Sequence, residues 1–376
     1  MKQITKLVIA LCVLTSCSRE WQDNQQSDYR TVLAYIAADN DLNKEARDKC
    51  DALLEGWHPH DGGLLAVADN GSQPVLMKAA GNNGKKQWDT LRVYEHTDMA
   101  DAALLRRVVE EMPTIAPAKC YGLIVFSHAT GWLPKGAFAH PDSYAPAIGS
   151  RTLITAGSKE MSIDDFAAAL PDRGFCFIVF DMCFMANTEA LYALRNKTHA
   201  FAVSTAEVLS PGFTPAYRTS LSRLYTPHPD LVGFAQDFFN YWNSQEGIYR
   251  SATVSVVKSN GLEELATWAK QQHAAEKIAA SSDSLLKATQ TYDRLPVHLF
   301  HDLYDVLGSC VHTEAERQQL NDIFSRTVIL SKTTGRIVQL PIMRHSGLST
   351  YIPRSTLPAL NMAHEQTAWQ RAIKKN

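Results

Sequence analysis

Two stretches without a single polar residue, Leu123-Ile124-Val125-Phe126 and Phe177-Ile178-Val179-Phe180, constrain this chain more than any other feature. An unbroken apolar run of strand length fits a strand buried on both faces, as a parallel strand is when helices cover it above and below. Val32-Leu33-Ala34-Tyr35-Ile36 has the same character. Helical patterns fall between these runs. Leu42, Ala46, Cys50, Leu53 and Leu54 share one helical face that Gly56 brings to a stop. Asp98 heads a second helix with the stripe Leu105, Val108, Val109 and Met112, closed at Pro113. Ser162-Ile163-Asp164-Asp165 caps a short helix through Leu170, and another is expected from about Met185 to Arg195. Shorter strands are expected around Leu64 to Ala68, Pro74 to Lys78, Leu91 to Tyr94 and Ala200 to Ser204. Alternation of this kind builds an α/β fold with a mostly parallel sheet and helices on both faces. Residues 220–376 read as more helical, with a late strand near Ser346 to Ile352 and no break in composition that would mark an independent domain.

The amino terminus is different in kind. Lys2 and Lys6 form a charged stretch ahead of an apolar core from Leu7 to Leu14, followed by Thr15-Ser16-Cys17. The core is too short to span a bilayer and reads as an export signal. A small residue before a cysteine, directly after such a core, resembles the bacterial lipoprotein cleavage box, which implies cutting before Cys17 and lipidation of its thiol. The expected layout is therefore a signal at residues 1–16, a polar tether at 17–28, a catalytic core at 29–225 and a remainder at 226–376 belonging to the same unit. Such a chain would sit in the cell envelope, periplasmic or surface-exposed, touching membrane only through its lipid. The formal net charge of −2 leaves no basic footprint for nucleic acid. Of the seven cysteines, Cys12 leaves with the signal and Cys17 takes the lipid. Cys50, Cys120, Cys176, Cys183 and Cys310 remain, an odd set without C-x-x-C, so at least one thiol stays free.

His128 and Cys183 each stand just past the end of an apolar strand, on the edge of a parallel sheet where ligands bind. A lone cysteine after a strand is usually a packed small hydrophobe, and a lone loop histidine usually serves the surface. Placed together on one rim they form a nucleophile and a base. Cys183 is expected to precede a helix whose positive end favours the thiolate. The backbone N–H groups of Ala129 and Cys183 are candidates for binding a developing oxyanion. Alternation along a strand puts Asp181 on the side of Cys183, where a carboxylate would floor a pocket and select a cationic side chain; capping of the following turn is the plainer role. Thr205, Glu207 and Asn40 end neighbouring strands and could line the substrate groove. Glu189 is read as structural. His140, His199 and His301 lack metal-ligand spacing, so no metal is expected.

The strings Phe126-Ser127-His128-Ala129-Thr130-Gly131-Trp132 and Phe180-Asp181-Met182-Cys183-Phe184-Met185-Ala186-Asn187-Thr188-Glu189 resemble the His and Cys motifs of the clostripain family of cysteine peptidases, relatives of caspases and gingipains. Tyr35 to Leu42 and Ser346 to Pro353 match weaker family segments. The resemblance implies a caspase-like three-layer fold and a Cys183–His128 dyad. It also implies endopeptidase action on peptide or protein substrates, after Arg or Lys where the motif carries Asp181. Some members bind calcium, which the acidic spacing here leaves open; otherwise no cofactor is expected. Ala129, Met182 and Ala186 depart from residues that are usually smaller in the family, two of them Gly. That keeps two alternatives in play: an envelope-tethered binding protein on a decayed scaffold, and a thiol-dependent amidase or acyl transferase. Relatives are often cut internally between the two motifs, which makes Lys135, Arg151 or Lys159, in the long Gly/Pro-containing stretch from Leu133 to Lys159, a candidate self-processing site.

Overall fold

The computed structural model describes residues 28–38, 42–69, 73–82, 84–95, 97–143, 152–156 and 159–375. Cys17, Asn40 and Arg151, together with the signal and most of the tether, lie outside the described residues.

The chain opens with β1 (Asp28–Ile36), α1 (Asn43–Gly56), β2 (Gly63–Asp69), β3 (Pro74–Asn82), β4 (Lys85–Val93), α2 (Ala102–Ile115) and β5 (Ala118–Phe126). A small hairpin of β6 (Thr152–Ala156) and β7 (Lys159–Ser162) leads into α3 (Ile163–Ala169), β8 (Phe177–Asp181), α4 (Thr188–Leu194) and β9 (Ala200–Val203). Then come α5 (Thr214–Ser220), α6 (Leu231–Asn243), β10 (Thr253–Lys258), α7 (Ser259–Gln271), α8 (Ala274–Ala280) and α9 (Ser282–Ala288). The last part holds β11 (His301–Asp302), α10 (Leu303–Gly308), α11 (Glu314–Thr327), β12 (Val328–Thr333), the pair β13 (Arg336–Ile337) and β14 (Leu340–Pro341), β15 (Ser349–Thr350), α12 (Pro358–Glu365) and α13 (Ala368–Ile373).

One nine-stranded sheet, in the order β12-β10-β9-β8-β5-β1-β2-β3-β4, organises the molecule. β2, β1, β5, β8 and β9 run parallel; β3, β4, β10 and β12 are antiparallel additions at the two ends. Side chains alternate between two apolar layers, as the pleat requires. Leu33, Tyr35, Leu123, Val125, Ile178 and Phe180 pack under α2, α3, α4 and α7. Val32, Ala34, Ile124, Phe126, Phe177 and Val179 pack under α1, α5 and α6. This two-sided covering explains why the central strands show no polar alternation. The outer strand β4 is largely exposed and carries Lys85, Lys86, Asp89 and Arg92, charges that discourage edge-to-edge pairing.

Several boundaries differ from the sequence reading. α2 is capped by Asp101, whose carboxylate accepts from the Ala103 N–H, and it runs through Pro113 to Ile115. Asp98 instead bonds the Ala100 N–H, one turn upstream. The helix after Cys183 begins at Thr188, not Met185, because the Asn187 side chain accepts from the Ala190 N–H and fixes the start there. In the carboxyl-terminal part the late strand shrinks to the two residues of β15, while β10 and β12 extend the main sheet. Both are only six residues long and mix polar with apolar residues (TVSVVK and VILSKT), too short a stretch for periodicity to tell strand from helix.

Cys120 and Cys176 form a disulfide with Cα atoms 6.1 Å apart, tying the start of β5 to the segment leading into β8. Cys50 and Cys310 are free and buried, whereas Cys183 is free and only half-buried. Among the described residues no helix is long and apolar enough to cross a membrane.

Candidate active site

β5 and β8 are neighbours in parallel register, with Phe126 paired to Asp181 at their carboxyl ends. Two residues further on, the chain carries His128 beyond one strand and Cys183 beyond the other, so both leave the sheet at the same level on strands about 5 Å apart. His128 is exposed and Cys183 half-buried. The two loops also touch. Gly131 has φ +60, and a Cβ there would stand 3.0 Å from the Phe184 carbonyl oxygen and 3.0 Å from the Phe300 ring. Only a residue without a side chain lets the His128 loop close this tightly on the Cys183 loop.

The Cys183 loop is held from several sides. The Phe184 N–H donates to the Ala206 carbonyl at 3.0 Å, and the Ala186 N–H to the Ser204 carbonyl at 2.8 Å. Phe184 adopts φ +59, a conformation costing about 1–3 kcal/mol in a residue with a side chain. It is offset by the loop's bonds and by stacking of Phe184 on Phe300, with ring centroids 4.6 Å apart. Met182 and Ala186, which depart from the expected motif, are both buried in the apolar layer, as is Ala129. Glu189 accepts from the Thr350 hydroxyl and the Tyr351 N–H and contacts His364 at 3.1 Å, pinning the carboxyl-terminal segment to α4. Its reading as structural agrees with these bonds.

The sulfur itself is desolvated. The Val208 N–H points at it from 3.4 Å. Burial pushes the thiol up to about 11; the Val208 N–H opposes this, and the charges of Glu207, Asp181 and Glu45 add to it. The expected helix-end assistance to the thiolate is not the arrangement found. A turn separates Cys183 from α4, and the surroundings favour the neutral thiol.

Asp181 is a second correction. Its carboxylate is sealed in the layer beneath the sheet, where it meets Lys49 Nζ at 2.5 Å and accepts from the Tyr217 hydroxyl at 3.1 Å and the Phe213 N–H at 3.2 Å. Lys49 also donates to the Pro211 carbonyl and Thr214 hydroxyl and lies 4.1 Å over the Phe126 ring. The cation that Asp181 selects is thus supplied by α1. Thr205 is a third. Its hydroxyl bonds Thr253 at 3.0 Å and His345 Nε2 at 2.9 Å in the interior, away from any groove. Glu207 does stay on the rim, next to Val208, and is clamped by Arg294 through contacts of 2.6 and 3.0 Å.

Lys49, Val208, Glu45 and Arg294 were not singled out by the sequence. Each reaches the site through packing of distant segments, for which no local pattern exists. A cavity of about 890 Å³ opens at the opposite end of the strands, lined by His199, Lys258 and Asn260, and takes no part in this arrangement. Among the described residues no three His, Cys, Asp or Glu side chains cluster as metal ligands would.

Comparison with known proteins places this geometry. The clostripain family model matches residues 34–337. The crystal structure of an inactive zymogen C11 protease from Parabacteroides distasonis superposes with a TM-score of 0.79 at 27% identity, covering 93% of this chain and 99% of the other. A secreted C11 cysteine protease from Bacteroides thetaiotaomicron, in complex with an irreversible peptide inhibitor, gives 0.77 at 25% identity, covering 92% and 99%. A search of curated proteins finds no match. The three-layer architecture is the caspase-like fold of these proteases. The chain belongs to the clostripain family and is a cysteine peptidase, a hydrolase.

Proposed function

We propose that this peptidase is a lipid-anchored endopeptidase that cuts after basic residues, with Cys183 as nucleophile and His128 as its acid–base partner. The observation that carries the reading is the contact between the two loops at one strand-end level: Gly131 beside Phe184, beyond the paired residues Phe126 and Asp181. Of the free cysteines in the described chain, Cys183 alone is not buried.

The chemistry follows from the thiol's resting state. With its pKa raised to about 11, Cys183 stays protonated at neutral pH. Its proton therefore passes to His128 as the sulfur attacks the carbonyl carbon of the scissile bond. The resulting oxyanion would be held by the backbone N–H groups of Cys183 and Ala129. Collapse expels the amine, which takes the proton from His128 and leaves an acyl-enzyme. Water, deprotonated by the same imidazole, then releases the acid. Acidic side chains around the sulfur favour a cationic residue on the acyl side. A disulfide fits an oxidising compartment, and with the amino-terminal signal supports export and lipidation at Cys17. Internal cleavage at Lys135, Arg151 or Lys159 would separate the two loops' segments. An intact chain in an active preparation rules it out.

The deciding assay uses fluorogenic Arg and Lys peptides with the wild type, Cys183→Ala and His128→Ala. Cleavage lost in both variants supports the reading. Labelling of Cys183 by a thiol probe without turnover supports the binding-protein or the amidase/acyl-transferase alternative instead.

A further inference from the structure

We propose that Glu207 is the carboxylate that receives the substrate's basic side chain, and that Arg294 occupies it as an internal placeholder until substrate displaces it. This rests on the reading of Cys183 as the nucleophile of a peptidase selecting basic residues, and it assigns the selecting group.

Three acids act on the sulfur: Glu207 most strongly, then Asp181, then Glu45. They differ in what already holds them. Asp181 is matched by Lys49 with both side chains sealed, at 0% and 1% exposure, and with Tyr217 and the Phe213 N–H filling the remaining acceptor positions. A substrate would have to unmake a buried ion pair to reach it, at the cost of leaving Lys49 charged in the interior. Glu45 lies on the first turn of α1, where its charge complements the helix end, and it has no cationic partner among the described residues. It acts most weakly of the three.

Glu207 is adjacent in sequence to Val208, whose N–H touches the sulfur. It already holds a guanidinium in two-pronged geometry, at 2.6 and 3.0 Å, so the site's fit for an arginine side chain is demonstrated by the protein's own residue. That residue is exchangeable. Arg294 is 41% exposed and Glu207 19%, and an exposed ion pair holds weakly because water replaces each partner as it leaves. The bond to Glu207 holds the Arg294 guanidinium above its ordinary value, so the side chain is a charged cation whenever it occupies that carboxylate. Its backbone anchors independently: Asp293 binds the Leu295, Leu299 and Phe300 N–H groups, so the loop stays folded when the guanidinium swings out. An incoming basic side chain thus replaces one cation by another on Glu207, and charge near the sulfur is conserved.

The test reads binding without turnover. Full-length Cys183→Ala protein is titrated by calorimetry with Nα-acetyl-arginine amide, the lysine amide, and the glutamine amide as a neutral control. Adding Arg294→Gln should tighten the arginine amide about ten-fold, since the competing charge-assisted bonds are gone. Adding Glu207→Gln should weaken it by about ten-fold or more, and adding Glu45→Gln should leave it unchanged. Tightening by Arg294→Gln that appears equally with the glutamine amide, or preference surviving Glu207→Gln, overturns the proposal, as does loss of preference in Glu45→Gln alone. Selective binding that obeys the exchange in a protein whose Cys183 form cleaves nothing supports the exchange and strikes the peptidase mechanism, so the two failures separate.

Discussion

Beneath Cys183 and beside it lie two acid–cation pairs of similar composition in different media. Asp181 and Lys49 are shut inside the layer formed by α1 and α5, with side-chain exposures of 0% and 1%. Glu207 and Arg294 stand on the rim at 19% and 41%. Coulomb attraction is comparable in kind, but removing either member of the buried pair strands a charge that water cannot reach. Removing a member of the rim pair lets solvent take its place. The same chemistry makes a permanent floor in one place and an exchangeable contact in the other. Burial decides which.

The largest effect should come from breaking the floor. Lys49→Met leaves Asp181 buried without its cation and should lower unfolding stability by about 3–5 kcal/mol, read from urea denaturation. Replacing both partners with apolar residues should recover much of this loss, because the cost lies in the uncompensated charge. A loss under about 1 kcal/mol for Lys49→Met would mean that water reaches the floor, and the contrast with the rim would disappear.

Gly212→Ala perturbs the same floor sterically. Gly212 has φ +62, and a Cβ there would stand 2.3 Å from Asp181 Oδ1 and 3.0 Å from Lys49 Nζ. Backbone strain alone costs about 1–3 kcal/mol, and the carboxylate must move as well. Thermal unfolding with the wild type as reference measures the sum. An unchanged midpoint would show that the loop carrying Gly212 shifts freely, contrary to a rigid floor.

The floor and the rim were unequally legible in the sequence. The apolar runs at 123–126 and 177–180 gave the two strands because parallel strands covered on both sides must be apolar throughout. His128 and Cys183 followed from their positions at those strand ends. Asp181 was read as facing substrate because strand alternation continues to residue 183 only if the strand does, and β8 ends at Asp181. Its true partner, Lys49, lies on a helix far away in sequence, and nothing near it marks it as buried. Arg294 and Val208 are loop residues with the same difficulty. β10 and β12 are hidden for a different reason: six residues of mixed polar and apolar character suit either structure.

A smaller effect separates the two acids by their action on the thiol. The Cys183 thiol is raised from 9.0 to about 11, with Glu207 acting more strongly than Asp181. The alkylation rate of Cys183 should therefore keep climbing with pH up to about 11, and Glu207→Gln should move the profile to lower pH. The stability consequence has a definite sign. Between pH 9 and 11 an unfolded chain releases the thiol proton while the native chain keeps it, so this contribution is present at neutral pH and is lost as pH rises through the folded value. An alkylation plateau near neutral pH would reveal a thiolate already formed beside His128, and the proton transfer would then precede attack.

The smallest expected effect is the one that most sharply tests exchangeability. Arg294→Gln removes a two-pronged contact to Glu207 that looks, by distance alone, as strong as the one between Lys49 and Asp181. If solvent exposure governs, urea denaturation should register a loss below about 1 kcal/mol, because water hydrates the freed carboxylate and the loop remains tied through Asp293. A loss approaching that of Lys49→Met would make the rim pair a structural strut. Arg294 could not then leave Glu207 for a substrate without unfolding the loop that also carries Phe300, the ring stacked on Phe184 next to Cys183.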